Sequence, residues 1–253
     1  MLSAVGLVPS SPLLLHSVNK HRREELGTTE HALDTLADDW YARGIETVVI
    51  ITPSRFAYEQ AIGIDVADPY IADLATLGDL SPKATYHPDS QLIDRLQRTV
   101  RHEHAQGKFL PLLTLSTEPA LPFGCAAPLA ALAKRIPSLR IVPISPGQNL
   151  PAKEHYHFGT LLKQTVDESS KRIGILAAGD VSLNHLADIR LILEEKSTAS
   201  LLKLQPELNG HDNDASYQPL AMLFGVLDGI PAHTDIISIE SPFAIGYVIA
   251  NLF

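Results

Sequence analysis

Four short stretches hold the residue types from which a site could be built. The first is Leu7-Val-Pro-Ser-Ser-Pro-Leu-Leu-Leu15, where an apolar run passes straight into a Pro-Ser-Ser-Pro turn. Proline fixes φ and removes a backbone donor, so the chain leaves a sheet here and presents Ser10 and Ser11 at a strand end, where α/β proteins build their sites. The second is Ala177-Ala-Gly-Asp-Val-Ser-Leu-Asn-His185, which places Asp180, Ser182 and His185 just past another apolar run. Asp180 and Ser182 there either cap local backbone or serve chemistry, and His185 stands open between a structural and a functional role. The third is His155-Tyr-His157 with Glu154 beside it. Two positions on a helix are about 200° apart, so these imidazoles cannot chelate one ion together there, and a helix-surface or core role is expected. The fourth is Ile239-Glu-Ser-Pro-Phe-Ala-Ile-Gly-Tyr247. Glu240 ends a strand before a proline turn and a last strand, where a carboxylate is either solvated or a metal ligand.

The motifs of common enzyme classes are missing: no G-x-S-x-G elbow, no G-x-x-x-x-G-K-[ST] loop, no H-E-x-x-H and no G-x-G-x-x-G occurs. Hydrolase, nucleotide-binding and zincin readings lose their best support. A single cysteine, Cys125, excludes an intramolecular disulfide and a Cys-rich zinc site, fits a reducing cytoplasm, and is expected in the core as a small apolar group. Twenty Lys and Arg against 29 Asp and Glu leave a net charge of -9, which repels nucleic acid and anionic membranes. No apolar stretch reaches about 18 residues and no basic leader precedes a cleavable one, so neither a membrane span nor a signal peptide is expected.

The elements that must position these stretches follow from periodicity. Apolar runs predict strands at Leu2–Val8, Thr47–Thr52, Ala61–Val66, Leu139–Ile144, Arg172–Ala178, Thr234–Ile239 and Ile245–Asn251, several of them apolar on both faces as in a covered sheet. Helical spacing predicts Glu24–Arg43, with Leu33, Leu36, Ala37, Trp40 and Tyr41 on one face and Gly44 as its C-cap, and Pro88–Ala105, with Leu92, Ile93, Leu96 and Val100 inward. Further helices are expected at Ala126–Ile136, Glu154–Glu168, Ile189–Leu204 and Ala215–Leu227, with surface loops or helix entries at Asp68–Pro82 and Asn209–Asp214. Strands alternating with helices mean an α/β fold, one mixed or mostly parallel sheet covered by helices on both faces. With no repeat, linker or composition shift, residues 1–253 read as one domain.

Taken in order, "AVGLVPSSPLLL", "TVVIITPS", "ILAAGDVS" and "IESPFAIGYVIANL" resemble the catalytic, LigB-type subunits of the class III extradiol ring-cleavage dioxygenases, whose fold is shared with Memo-like proteins. Active members carry Pro-His-x-Pro after the first strand, Ser-Pro-His-Gly after the second, Gly-Asp-Leu-Ser-His later and Glu-x-Pro-Phe-Gly-x-Gly-Tyr at the end. Two of those histidines and the glutamate hold ferrous iron, and another histidine is the acid or base. On this sequence the resemblance places the first ligand histidine at Ser11 or Ser10, the second at Ser54, the acid/base histidine at Leu183, and a fourth histidine, of an Asp-His-Gly element, at Phe123. Only the glutamate persists, as Glu240.

Neutral serine hydroxyls are poor iron ligands, and one carboxylate with water cannot hold a labile divalent ion. Three readings follow. In the first, the metal site is degenerate, no cofactor is expected, and the protein binds a small aromatic ligand or a partner, as a homo-oligomer or with a related subunit. In the second, a site for Fe(II) is rebuilt from His185, Glu240 and His16, with Asp180 and His185 serving catalysis. In the third, Ser11 or Ser54 is a nucleophile, which would need a base and oxyanion donors that no motif supplies.

Overall fold

The inward faces of the central strands alternate as a doubly covered sheet requires. The computed structural model describes residues 1–19, 23–53, 59–80, 83–109, 111–204, 216–231 and 233–253. Along β1 (Leu2–Val8), Ala4 and Val8 enter one core while Val5 and Leu7 enter the other. In β2 (Thr47–Ile51), Val48 and Ile50 oppose Val49 and Ile51 in the same way. Period-two alternation with apolar residues on both faces is the signature of a sheet buried between two helical layers.

The remaining strands are β3 (Ala61–Asp65), β4 (Tyr70–Ala72), β5 (Ala84–Pro88), β6 (Leu112–Ser116), β7 (Arg140–Ser145), β8 (Ile173–Ala178), β9 (Val181–Ser182), β10 (Asp235–Glu240) and β11 (Ile245–Asn251). All belong to one mixed sheet of order β10-β11-β1-β8-β2-β7-β3-β6, with β5 also on β7, β4 on β5 and β9 on β11. The four central strands β1, β8, β2 and β7 run parallel, so their carboxyl ends share one rim.

Among the described residues, seven helices cover the sheet: α1 (Gly27–Ala42), α2 (Ser90–Ala105), α3 (Ala126–Arg135), α4 (Ala152–Asp167), α5 (Leu186–Glu195), α6 (Thr198–Lys203) and α7 (Tyr217–Val226). α1 and α3 lie on one face, with Leu36, Trp40, Leu129 and Leu132 in its core; α2, α4, α5, α6 and α7 lie on the other, with Leu96, Phe158, Ile192, Leu201 and Leu220. The Trp40 indole is fully buried and donates its Nε1 proton to Asn251 Oδ1 at 3.0 Å, tying α1 to the last strand. α4 and α7 touch backbone to backbone: a methyl on Gly159 would overlap the Met222 carbonyl, and one on Gly225 the Tyr156 carbonyl. Glycine at both positions permits that approach.

The predicted strands all form, and Gly44 ends α1 with φ +67°. Four expectations are corrected. Tyr41 is exposed rather than on the inner face of α1. The helix expected at Ile189–Leu204 is two, α5 and α6, because Lys196 adopts a left-handed φ of 54° that stops the first. The helix expected from Pro88 starts at Ser90, capped by Asp89, while Pro88 closes β5. The Asp68–Pro82 stretch contains β4, whose Tyr70 is fully buried; a three-residue strand offers too little alternation to be read from sequence. The Asn209–Asp214 stretch lies outside the described residues.

Candidate functional site

The carboxyl ends of β1, β8 and β2, with the turn between β10 and β11, bring polar side chains to one rim. Past β1 the Pro-Ser-Ser-Pro segment turns as expected. Ser11 caps a short 3-10 turn, Pro12–Leu14, and its Oγ accepts the Leu13 amide at 3.3 Å. Past β8, Asp180 Oδ1 accepts the Ser10 amide at 2.8 Å. Asp180 therefore holds a backbone amide 170 positions away rather than one of its own turn, and it ties the ends of β1 and β8 together. Burial pushes the Asp180 carboxyl above its usual range, against the opposite pull of the Ser10 and Ser11 donors.

Past β2 stands Thr52, 1% exposed, with no hydrogen-bond partner for its Oγ1 among the described residues. The turn Phe123–Cys125 closes over it. A methyl at Gly124 would overlap Thr52 Oγ1 and press on Ser10 Cβ at 3.1 Å, so only glycine lets this turn rest on both strand ends. Tyr247 of β11, fully buried, places its hydroxyl beside Ser11 and Asp180 without a hydrogen bond of good geometry, and burial pushes its pKa up.

Glu240 and Tyr247 are register partners across β10 and β11, so both side chains rise on the α1 face. There the Thr29 hydroxyl of α1, itself fully buried, donates to Glu240 Oε2 at 2.5 Å. The turn after Glu240 is strained: Phe243 and Ala244 take φ of +59° and +60°. A left-handed conformation costs a non-glycine residue about 1–2 kcal/mol, and such outliers concentrate at functional sites.

The other sequence candidates fall around this rim. His185 follows β9 and its Nδ1 lies 3.1 Å from Ser182 Oγ. Leu183 is 46% exposed. Phe123 is half-buried in the closing turn. His16 is exposed, with Nδ1 3.4 Å from Glu30 Oε1. Ser54 lies outside the described residues. Among the described residues, no three His, Cys, Asp or Glu side chains come together as a metal-holding group.

The outlying candidates are structural. His155 is fully buried in α4 beside the Gly147 and Pro151 backbone, with neither ring nitrogen in a well-formed hydrogen bond. Burial pushes its pKa down to about 4. His157 stacks edge-on to Phe109 at 5.4 Å. Cys125 is buried, and burial drives its thiol far above its usual range, as expected of a core residue. The sequence reading missed Thr29, Thr52 and Gly124. Thr52 carried a signal, as the polar end of an apolar run; Thr29 and Gly124 carried none, because distant elements bring them to the rim.

A sheet with a parallel centre, helices on both faces and polar groups gathered at the carboxyl ends of its central strands defines an α/β protein with a strand-end site. Within that class, the model of the catalytic LigB subunit of aromatic ring-opening dioxygenase matches residues 6–191, and the chain belongs to this family. Glu240 lies beyond the matched segment. Protein CA_C1420 of Clostridium acetobutylicum is 20% identical over 274 aligned positions, covering 99% of this chain and 57% of the relative. This chain thus spans little more than half of that relative's length. The crystal structure of the uncharacterized protein JW3007 from Escherichia coli K12 superposes with a TM-score of 0.65 at 14% identity, over 99% of this chain and all of the other, and so shares its fold. No helix among the described residues is long and apolar enough to cross a membrane.

Proposed function

We propose that this chain is a LigB-family protein whose strand-end site binds a small aromatic ligand or a partner without holding ferrous iron and without ring-cleaving activity. The observation that carries the reading is the Glu240 carboxylate. It is the one residue that the resemblance retains from the iron-binding set, and it already takes the Thr29 hydroxyl at 2.5 Å. Ferrous iron in this family's style needs two imidazoles beside that carboxylate, and Ser11 at one of those positions uses its Oγ to cap Leu13. The alternative recruits do not converge on that carboxylate among the described residues: Asp180 holds the Ser10 amide, His185 lies against Ser182, and His16 sits near Glu30 at a half-exposed position. These residues do not fit the metal. The single buried cysteine supports a reducing cytoplasm as the place of work.

The test is anaerobic loading with Fe(II), dialysis and plasma mass spectrometry, followed by oxygen uptake with catechols. The expected result is no stoichiometric iron, no uptake, and a melting temperature that Fe(II) leaves unchanged. Stoichiometric iron that vanishes in a Glu240→Ala, His185→Ala double variant overturns the reading and restores a rebuilt metal site. A melting temperature raised by simple phenols, with the rise abolished by Thr52→Val or Tyr247→Phe, identifies the rim as the binding place.

A further inference from the structure

The two edges of the sheet are built differently. β10, at one edge, carries a carboxylate at each end, Asp235 and Glu240, and a register shift between Ile236 and Ser238. α1 packs on it, with the Thr29 to Glu240 hydrogen bond as a fastening. Charge, irregular register and cover are the devices by which natural sheets keep an edge from pairing. Among the described residues, β6 at the other edge has none of them. Its sequence Leu112-Leu113-Thr114-Leu115-Ser116 contains no charge, proline or glycine. Among the described residues β3 is the one strand it pairs with, the Val66 amide just past β3 adding a bond to the Ser116 carbonyl. Leu112 and Leu115 are 62% and 44% exposed. Beside it runs an apolar groove of about 220 Å³ between the strand and α2, floored by Val100, Ala105, Leu113 and Leu115 and edged by Arg101 and His104.

We propose that β6 is a self-pairing edge, through which two copies of this chain join antiparallel about a two-fold axis at Thr114 and continue one sheet across the dimer. A two-fold interface must be complementary to itself, and this strand is. Antiparallel register about Thr114 sets Leu113 against Leu115 of the second copy, twice, on the α2 side where the groove receives them, and Leu112 against Ser116. Just beyond the strand the charges also match. Lys108 lies before the strand and Glu118 after it, so antiparallel pairing turns the cationic end of one copy toward the anionic end of the other. Both side chains are available, since Glu118 is exposed and Lys108 reaches Glu103 only at 3.9 Å. The symmetry repeats this opposite-charge contact at the far end. A chain of net charge -9 otherwise repels its own copies, so a neutral strand flanked by one cation and one anion is where self-association meets least opposition. A foreign strand would find the same hydrogen-bonding edge, but nothing here would set its register.

This inference is independent of the proposed function, since no rim residue takes part. Sedimentation equilibrium of the full chain across micromolar concentrations is expected to show a reversible monomer–dimer equilibrium. Leu115→Lys should weaken it about tenfold or more while leaving circular dichroism and melting temperature near those of the wild type. Lys108→Glu should weaken it and Lys108→Glu with Glu118→Lys should restore it, a charge-swap readout that a merely folding-related effect would not give. Thr114→Cys should form a disulfide-linked dimer on mild oxidation, with no background from Cys125, which is buried. A chain that is monomeric at every concentration overturns the proposal, as does a dimer indifferent to Leu115→Lys and to the charge swap. Binding of a foreign peptide strand by a monomeric chain overturns it too, in favour of a different partner.

Discussion

At the amino ends of the central strands, the buried Asp89 carboxylate is fully answered. It accepts Thr47 Oγ1 at 2.7 Å, Lys171 Nζ at 2.8 Å and the Leu92 amide at 3.2 Å, and it is 3% exposed. Burial alone would push its carboxyl up, yet Lys171, Thr47 and Leu92 together hold it below the usual range. The carboxyl ends of the strands are different. There Asp180 is pushed up by burial, and among the described residues Thr52 and Tyr247 hold buried hydroxyls without well-formed partners. Buried polar groups are nearly always satisfied, so a cluster of exceptions marks where stability was not the only constraint. The completed network is a structural fastening, and the incomplete one lies at the rim that also carries Ser10, Ser11 and Glu240.

The largest effect expected from this contrast is at the completed end. Asp89→Ala strips a cap and leaves the Lys171 ammonium and Thr47 hydroxyl without their acceptor, which should cost about 3 kcal/mol in urea denaturation, toward the low end because Lys171 is partly solvated. The same carboxyl, held low in the folded state, contributes stability that is present above the ordinary carboxylate range and is lost as pH falls through its folded pKa. If Asp89→Ala costs no more than a surface change, the contrast fails.

His155 should dominate the acid limb. Its pKa falls from 6.5 to about 4 on folding, so the unfolded chain binds the proton first. Stability is then complete above the unfolded value and declines by about 3 kcal/mol as pH drops from there to the folded value. His155→Leu should flatten that decline in denaturation curves recorded across the range.

Asp65 should act in the opposite sense. It is 7% exposed at the carboxyl end of β3, and burial raises its pKa from 3.8 to about 6 despite the Ser116 hydroxyl. Its contribution is greatest below the unfolded value and is lost as pH rises through the folded one. Asp65→Asn should therefore stabilise the protein at neutral pH by about 2 kcal/mol and lose that advantage at low pH.

The smallest effects belong to the orphaned hydroxyls. Thr52→Val and Tyr247→Phe remove hydroxyls without well-formed partners among the described residues, so ligand-free stability should stay within about 1 kcal/mol of the wild type or rise slightly. A cost well above that would mean the rim is as complete as the opposite end.

Much of the architecture was legible because it depends on patterns within single segments. The both-face apolar runs at Thr47–Ile51 and Ile173–Ala178 can only be covered strands. The stripe Leu92, Ile93, Leu96 and Val100 can only be one buried helix face. β5 and β6 escaped because their burial is partial and their apolar periodicity weak. In the candidate site, the turn at Ser10 and Ser11 and the position of Glu240 were legible for the same local reason, since proline and a strand end announce themselves within a few residues, whereas the bond from the Ser10 amide to Asp180 spans 170 positions. What those groups do was not. Ser182 and His185 are three residues apart, yet whether they would meet each other or the rim depended on how β9 pairs with β11.

The sequence by itself determined the class of fold, the strand-end location of the polar groups and the family to which the chain belongs, because strand and helix periods and turn chemistry are written in neighbouring residues. Only the tertiary structure decided that Thr29 reaches Glu240 across 211 positions of chain, that Gly124 closes over Thr52 and Ser10, and that β6 ends the sheet among the described residues. Each of these depends on which elements become neighbours, and that is settled by burying both faces of one sheet at once, a condition no local window of sequence contains.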